Sequence, residues 1–253
     1  MSVPEKVPTI LALLEATSGA LLADAERLSE DDLRAASTCP GWSRAHVLAH
    51  LINQADAYRR MAWGAAHELT LQQYPGGHEQ REAEVERNAT WPAETLHLEL
   101  RRSADELAEI LDRLPEPAWT HTVIRVNGPM PLWQALQARL LEVVFHHLDL
   151  DTGHTPGAWP AGLVDLLLPD IAAGYERRTR SGLDQRWQLE RSDGAGAWTL
   201  GSGEQVGSIR GPGAPLMAWL MGRGSSAPLV IDGDRATAEA IPVHYPYGSQ
   251  YRP

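Results

Sequence analysis

The sequence holds a single cysteine, Cys39, in 253 residues. No disulfide can close within the chain, which excludes a stapled secreted scaffold and fits a reducing cytoplasm. Positive charge is also short. Lys and Arg number 22 against 33 Asp and Glu, a formal net charge of −11. Phosphate backbones and anionic lipid surfaces attract proteins chiefly through Lys and Arg, so neither nucleic acid nor a membrane is an expected partner. Long apolar runs are missing as well: a stretch such as Leu163 to Leu168 is far too short to span a bilayer. Ser2-Val3-Pro4-Glu5-Lys6 offers no basic region leading into an apolar core and a cleavage site, so no secretory leader is read there. Biased tracts and internal repeats are absent, and the apolar content is ordinary. A soluble, cytoplasmic, globular protein is expected, long enough for two modest domains or one large one.

What is present divides near residue 155. Before it, apolar spacing predicts long helices. Ile10, Leu11, Leu13, Leu14, Leu21, Leu22 and Ala25 recur at helical intervals between Val7 and Leu28. Ser29 opens a short helix with Asp32 three positions on, in a capping-box pattern. After a break at Ser37-Thr38-Cys39-Pro40-Gly41, a further helix runs through His46, His50 and Tyr58 to about Trp63. The stretch from Leu71 to His78 reads as a loop. Helices are expected over about 79–88, whose acidic residues form a solvated face, and from Thr90 to Leu114. Trp119 to Val126 reads as extended, and a last helix covers about Pro131 to Leu148. Four main antiparallel helices make a bundle over residues 1–155. Residues 156–253 change texture. One helix is expected over 161–180, then short alternating strands around Trp187, Trp198 and Val206 with Ser-Asp-Gly and Gly-Ser-Gly turns. A helix from Ala214 to Gly222, a strand over 228–233 and an irregular tail from Tyr245 complete a small α+β domain. The fold class is therefore α+β overall, a helical bundle followed by a smaller mixed domain.

The segment Arg139-Leu140-Leu141-Glu142-Val143-Val144-Phe145-His146-His147-Leu148-Asp149 carries the clearest chemistry. Glu142 and His146 are four apart, one turn apart on one helical face, so a carboxylate oxygen and an imidazole nitrogen can reach a common ion. The flanking residues are apolar nearly all round, so the helix is expected to be buried, and a buried Glu–His pair needs a partner. Asp149 stands three residues past His146, within reach of its second nitrogen. His147 points about 100° away and belongs to another face. On the earlier helix His46 and His50 also share a face. The Glu that follows the first His in a HExxH peptidase is missing, so zinc peptidase chemistry is disfavoured. Inward ligands on two facing helices are the usual way a bundle holds a metal. Cys39, just before a helix, is a rival nucleophile, but without a visible His–Asp partner it reads as buried and inert. The nine tryptophans read mostly as packing, with Trp63 and Trp219 as candidates to line a pocket.

Three separated motifs then resemble the mycothiol-dependent maleylpyruvate isomerase family, within the DinB-like superfamily of four-helix metal-binding bundles. They are Cys39-Pro40-Gly41-Trp42-Ser43-Arg44 with His50, Arg139-x-x-Glu142-x-x-x-His146-x-x-Asp149, and Trp219-Leu220-Met221-Gly222-Arg223-Gly224. The resemblance implies that His50, Glu142 and His146 are three metal ligands, with zinc the foremost ion, and that His46 packs beside them. It implies that Arg223, on the C-terminal domain, and Arg81 act on the anionic substrate, and that mycothiol is the thiol cosubstrate.

Three protein ligands would leave an open position for that thiol, as catalytic zinc sites do. A coordinated thiol is held as its thiolate, which adds to a cis-enone acid; rotation and elimination return the trans isomer. The arginines would hold the carboxylate or the enolate. Mycothiol S-transfer to an electrophile shares the first step and is the alternative within enzymes. A non-catalytic metal-binding protein on the same bundle, and more weakly a hydrophobic-ligand carrier, are the readings of other classes.

Overall fold

The structure, a computed structural model, describes residues 4–178 and 184–241. The chain forms two compact units, Met1–Thr152 and Gly153–Pro253. The expected tail from Tyr245 lies outside the described residues.

The first unit is built on four long helices: α1 (Lys6–Ala25), α3 (Arg44–Ala66), α5 (Ala93–Asp112) and α6 (Leu132–Asp149). α3 is the central one, packing against α5 and α6, while α1 closes the other side against α6 and α5. Its composition explains this. Ala45, Val47, Leu48, Ala49, Leu51, Ile52, Ala55, Tyr58 and Met61 are all buried, leaving few polar positions facing solvent. Two short helices, α2 (Glu30–Arg34) and α4 (Gly77–Ala89), fill the connections. α2 has the capping box expected of Ser29 and Asp32. A second capping box starts α3. The Ser43 hydroxyl accepts from the His46 N–H, and the Ser43 N–H donates to His46 Nδ1 at 3.2 Å. Arg81 and Val85 are the buried face of α4; the acidic residues between them face water.

Two local differences from the sequence reading have physical causes. Trp119 is not extended: it is buried in a short 3₁₀ turn, Glu116–Thr120, that begins behind Pro115. The extended segment is instead a hairpin, β1 (Thr122–Arg125) against β2 (Gly128–Pro131), with a two-residue turn at Val126 and Asn127. Pro129 and Pro131 cannot donate to a ladder, which suits an edge strand and hides β2 from pattern reading. α1, in which no contiguous apolar run is long, is nonetheless long and apolar enough on average to cross a membrane by length and composition alone. Here its buried residues, from Val7 to Ala25, line the bundle.

The second unit begins with a 3₁₀ turn (Pro156–Ala158) and α7 (Leu163–Arg178). A four-stranded sheet follows, β3 (Arg186–Arg191), β4 (Ala197–Leu200), β5 (Gln205–Gly211) and β6 (Val230–Asp232), in the order β4-β3-β5-β6. β3 and β5 are parallel although only four residues join β4 to β5. The link crosses beneath the start of β3, and Gly203 permits it: its φ is +86° and a Cβ there would stand 2.3 Å from the Asp184 carbonyl. α8 (Gly213–Leu220) packs against α7 and β5, and α9 (Arg235–Glu239) follows β6. Trp187 is fully buried in this unit.

At the end of α1, the Asp24 carboxylate accepts from His147 Nε2 at 2.8 Å and ties α1 to α6. His147 thus turns to its own face, away from His146. Burial would raise the Asp24 pKa, but the hydrogen bond from His147 and the adjoining Arg27 hold it below the usual value of 3.8. A depressed folded-state value adds stability above the unfolded-state value that is lost as pH falls through the folded one. Asp24→Asn should therefore cost on the order of 1–2 kcal/mol at pH 6–7. The gap between variant and wild type in urea titrations should shrink below about pH 4. A gap of constant size across that range would show that the pair does not act through charge.

Candidate metal centre

The centre of the first unit is a polar cluster between two apolar helices. His50 on α3 and His146 on α6 are each 1–2% exposed. One Glu142 oxygen, Oε2, stands between them, 3.1 Å from His50 Nε2 and 3.2 Å from His146 Nε2. The donor atoms of His50, Glu142 and His146 lie within 4.8 Å of one another. Burial alone would raise the Glu142 pKa, but hydrogen bonds from His146 and His50 hold it well below the ordinary carboxylate value. Burial pushes His50 down to about 3, so it is neutral. His146 is different. Burial opposes its protonation, yet Asp149, Cys39 and Glu142 together raise it well above its ordinary value. Two Nε2 atoms and a carboxylate oxygen converging in a site shielded from water match the donor set of a divalent ion. Glu142 keeps 16% of its side chain exposed, which gives the cluster a solvent side.

The far side of the His146 ring is held by a second set of contacts. Asp149 Oδ2 accepts from His146 Nδ1 at 2.9 Å and from the Cys39 thiol at 3.0 Å, while Asp149 Oδ1 accepts from the Thr38 hydroxyl at 2.9 Å. The Thr38 N–H also donates to the Asp149 carbonyl at 3.0 Å. With Nδ1–H donated to Asp149, His146 turns its Nε2 towards Glu142, the nitrogen that an ion would take in place of its proton. Cys39 is buried, as the sequence reading expects, but it is not without a His–Asp context. Its Sγ is 4.0 Å from His146 Nδ1 as well as bonded to Asp149. Those neighbours come from a helix more than 100 positions away in the chain, so no local pattern could show them. The thiol donates to a carboxylate rather than standing open as a nucleophile.

The segment that brings Thr38 and Cys39 there is a tight turn. The Trp42 N–H donates to the Cys39 carbonyl at 3.1 Å, Pro40 takes the first central position, and Gly41 follows with φ +79°. That is a type II turn, which needs a positive φ at its second central position, supplied here by glycine, and favours proline at the first. It sets the Trp42 ring over the cluster, with centroids 5.5 Å from His50 and 6.2 Å from His146. The sequence reading counts Trp42 with the packing tryptophans. Its place after Pro-Gly and before a helix cap is the signal that could have singled it out. Trp63, considered as a pocket residue, is 47% exposed and stacks on His67.

Arg81 reaches the cluster from α4. Its Nη2 donates to His50 Nδ1 at 3.2 Å, and its guanidinium lies 6.0 Å from the Trp42 ring centre. The contact fits a His50 whose neutral ring carries its proton on Nε2. An ion on Nε2 would move that proton to Nδ1, and two donors would then face each other. Arg81 is thus the cluster residue whose contact is incompatible with a loaded His50. His46 stays outside: its ring bonds to Ser43 and stands 3.4 Å from Glu86. Arg223 lies in the second unit, in the turn after α8. Its N–H bonds the Ala218 carbonyl, and its Nη1 donates to the Met221 carbonyl at 2.9 Å.

A family model described as the mycothiol maleylpyruvate isomerase N-terminal domain matches residues 14–151, just over half of the chain. Two solved structures are similar in fold. One is a crystal structure of the mycothiol-dependent maleylpyruvate isomerase, at 22% identity, and the other a point mutant of it, at 21%. Each has a TM-score of 0.80 and covers 89% of this chain and 92% of the other. No curated protein matches the chain at a comparable level.

Asp149 uses both carboxylate oxygens as acceptors, whereas an amide has only one. Asp149→Asn therefore removes one acceptor and the negative charge that faces His146 Nδ1. Zinc affinity, measured against a chromophoric chelator, is expected to fall roughly 10–100-fold while the helical circular dichroism is kept. Wild-type affinity in a folded variant would remove Asp149 from the support of His146.

Proposed function

Because the chain belongs to the family of the mycothiol maleylpyruvate isomerase N-terminal domain, we propose that it is a thiol-dependent enzyme of the isomerase type with one divalent metal on His50, Glu142 and His146. The observation that carries the reading is the meeting of two Nε2 atoms and one carboxylate oxygen at a buried point with a solvent side. Zinc is the foremost ion and mycothiol the thiol. Such an ion, when bound, favours the thiolate form of a thiol that is otherwise mostly protonated at neutral pH.

The chain's residues serve the reading as follows. Asp149 keeps the His146 proton on Nδ1. Trp42 covers the two imidazoles and limits water on that side. A thiolate adding to the double bond of a cis-enone acid pushes its electron pair onto the carbonyl oxygen as an enolate. The former double bond then turns, and the returning pair expels the thiolate to leave the trans isomer. The enolate and carboxylate need fixed positive charge. Arg81, which stands beside His50 Nδ1 with its guanidinium 6.0 Å from the Trp42 ring centre, is given that role. The match of Trp219-Leu220-Met221-Gly222-Arg223-Gly224 to the family pattern supports giving Arg223 the same task. S-transfer of the thiol to an electrophile begins with the same addition and differs only in whether the adduct is released.

Elemental analysis of the purified wild type should give about one metal per chain, with His50→Ala and His146→Ala both depleted. Wild type without metal, even after reconstitution, would overturn the metal reading. Arg223→Ala should lower kcat/KM for maleylpyruvate with mycothiol by about 100-fold or more at unchanged metal content. A variant that turns over at the wild-type rate would take Arg223 out of the mechanism. Assays with maleylpyruvate beside a simple electrophile distinguish isomerisation from S-transfer.

A further inference from the structure

A buried polar seam continues from the cluster along the interface of α3 and α6. His50, Gln54 and Tyr58 recur every fourth residue on α3, and Arg139 lies one turn before Glu142 on α6, so both rows occupy facing sides. The next layer below the cluster is a single hydrogen bond, from Arg139 Nη1 to Gln54 Oε1 at 2.7 Å. Arg139 is 4% exposed, its Nε–H has no hydrogen-bond partner, and no carboxylate among the described residues pairs with it. Below it, Tyr58 is fully buried and its hydroxyl is also without a partner. Arg125 on β1, 5% exposed, lies close enough to act on the charge of Tyr58, and Glu142 close enough to act on that of Arg139. Burial draws the Arg139 pKa down to about 10, which still leaves it charged at neutral pH.

A buried cation is costly unless a counter-charge and hydrogen bonds compensate it. Glu142 acts on Arg139 only through its charge: no ion pair joins them, and its Oε2 is engaged by His50 and His146. Gln54 supplies one neutral acceptor. The seam thus holds more cationic and donor capacity than the described residues satisfy, directly beneath the proposed site of reaction. We propose that Arg139 and Tyr58, with Arg125 behind them, form a subsite for a small carboxylate, which accepts hydrogen bonds from the Arg139 guanidinium and the Tyr58 hydroxyl. That this carboxylate belongs to the substrate rests on the function proposed above; the anion site itself does not.

The test is calorimetric titration of the zinc-loaded protein with maleate, an unreactive cis-dicarboxylate, and with neutral maleamide. Wild type should bind maleate and not maleamide. Arg139→Gln should weaken maleate about tenfold or more, as expected for loss of a charged hydrogen bond, at unchanged metal content. Tyr58→Phe guards against misfolding, because it keeps the ring and removes only an unpartnered hydroxyl. It should stay folded and bind maleate several-fold more weakly. If the hydroxyl is merely buried, Tyr58→Phe will instead be as stable or more stable and bind maleate as wild type does, which overturns the subsite. Wild type indifferent to maleate, or a folded Arg139→Gln with wild-type affinity, does the same. Repeating the titration with His50→Ala separates the two readings. Maleate binding that survives metal loss but not Tyr58→Phe upholds the subsite even if the metal reading fails. Intact thiol-dependent turnover with maleate binding unaffected by both variants refutes the subsite alone.

Discussion

One carboxylate oxygen of Glu142 stands between the Nε2 atoms of His50 and His146, and the packing of α3 against α6 takes all three groups out of water. Much else in the first unit follows from keeping that arrangement. Three polar groups in an apolar interface are tolerable only if each has partners on every side. His146 finds Asp149, His50 finds Arg81, and the carboxylate finds both imidazoles. The pKa shifts express the same constraint. Glu142 is held ionised by its histidines, His50 is held neutral by burial, and His146 is favoured in its charged form by its acidic and thiol neighbours.

The supports come from three places in the chain. The Pro40-Gly41 turn fixes where Thr38, Cys39 and Trp42 stand, and its positive φ at Gly41 explains why a glycine is used there. Asp149 sits at the last turn of α6 and so can accept from that turn as well as from His146. α4 is a short, largely solvated helix whose few buried side chains include Arg81, which reaches His50 Nδ1. The cluster is thus held by rigid helices, whereas the arginine reaches it from a peripheral one.

Sequence spacing and tertiary packing divide the work in a definite way. The interval of four between Glu142 and His146 puts them on one face of any helix that contains both, because helix geometry is local. The apolar flanks likewise imply a buried helix. The same spacing puts His46 and His50 together and cannot choose between them. What separates them is long-range: His46 is drawn to its own helix cap and to Glu86, and His50 to α6. The hairpin of β1 and β2 is hidden for the opposite reason. Two prolines in four residues argue against a strand locally, and only the edge position makes them acceptable.

The sequence by itself therefore determined the helical first half, the mixed second half, the shared face of Glu142 and His146, and the break between helices at Ser37 to Gly41, all of which depend on residues a few positions apart. Tertiary structure alone decided that Cys39 and Thr38 meet Asp149, that Trp42 covers the imidazoles, and that Arg139 is buried with a single neutral acceptor. Apart from Trp42 over His50, these contacts join residues some 80 to 110 positions apart, and no periodicity within one element encodes which side chains another element will bring to it.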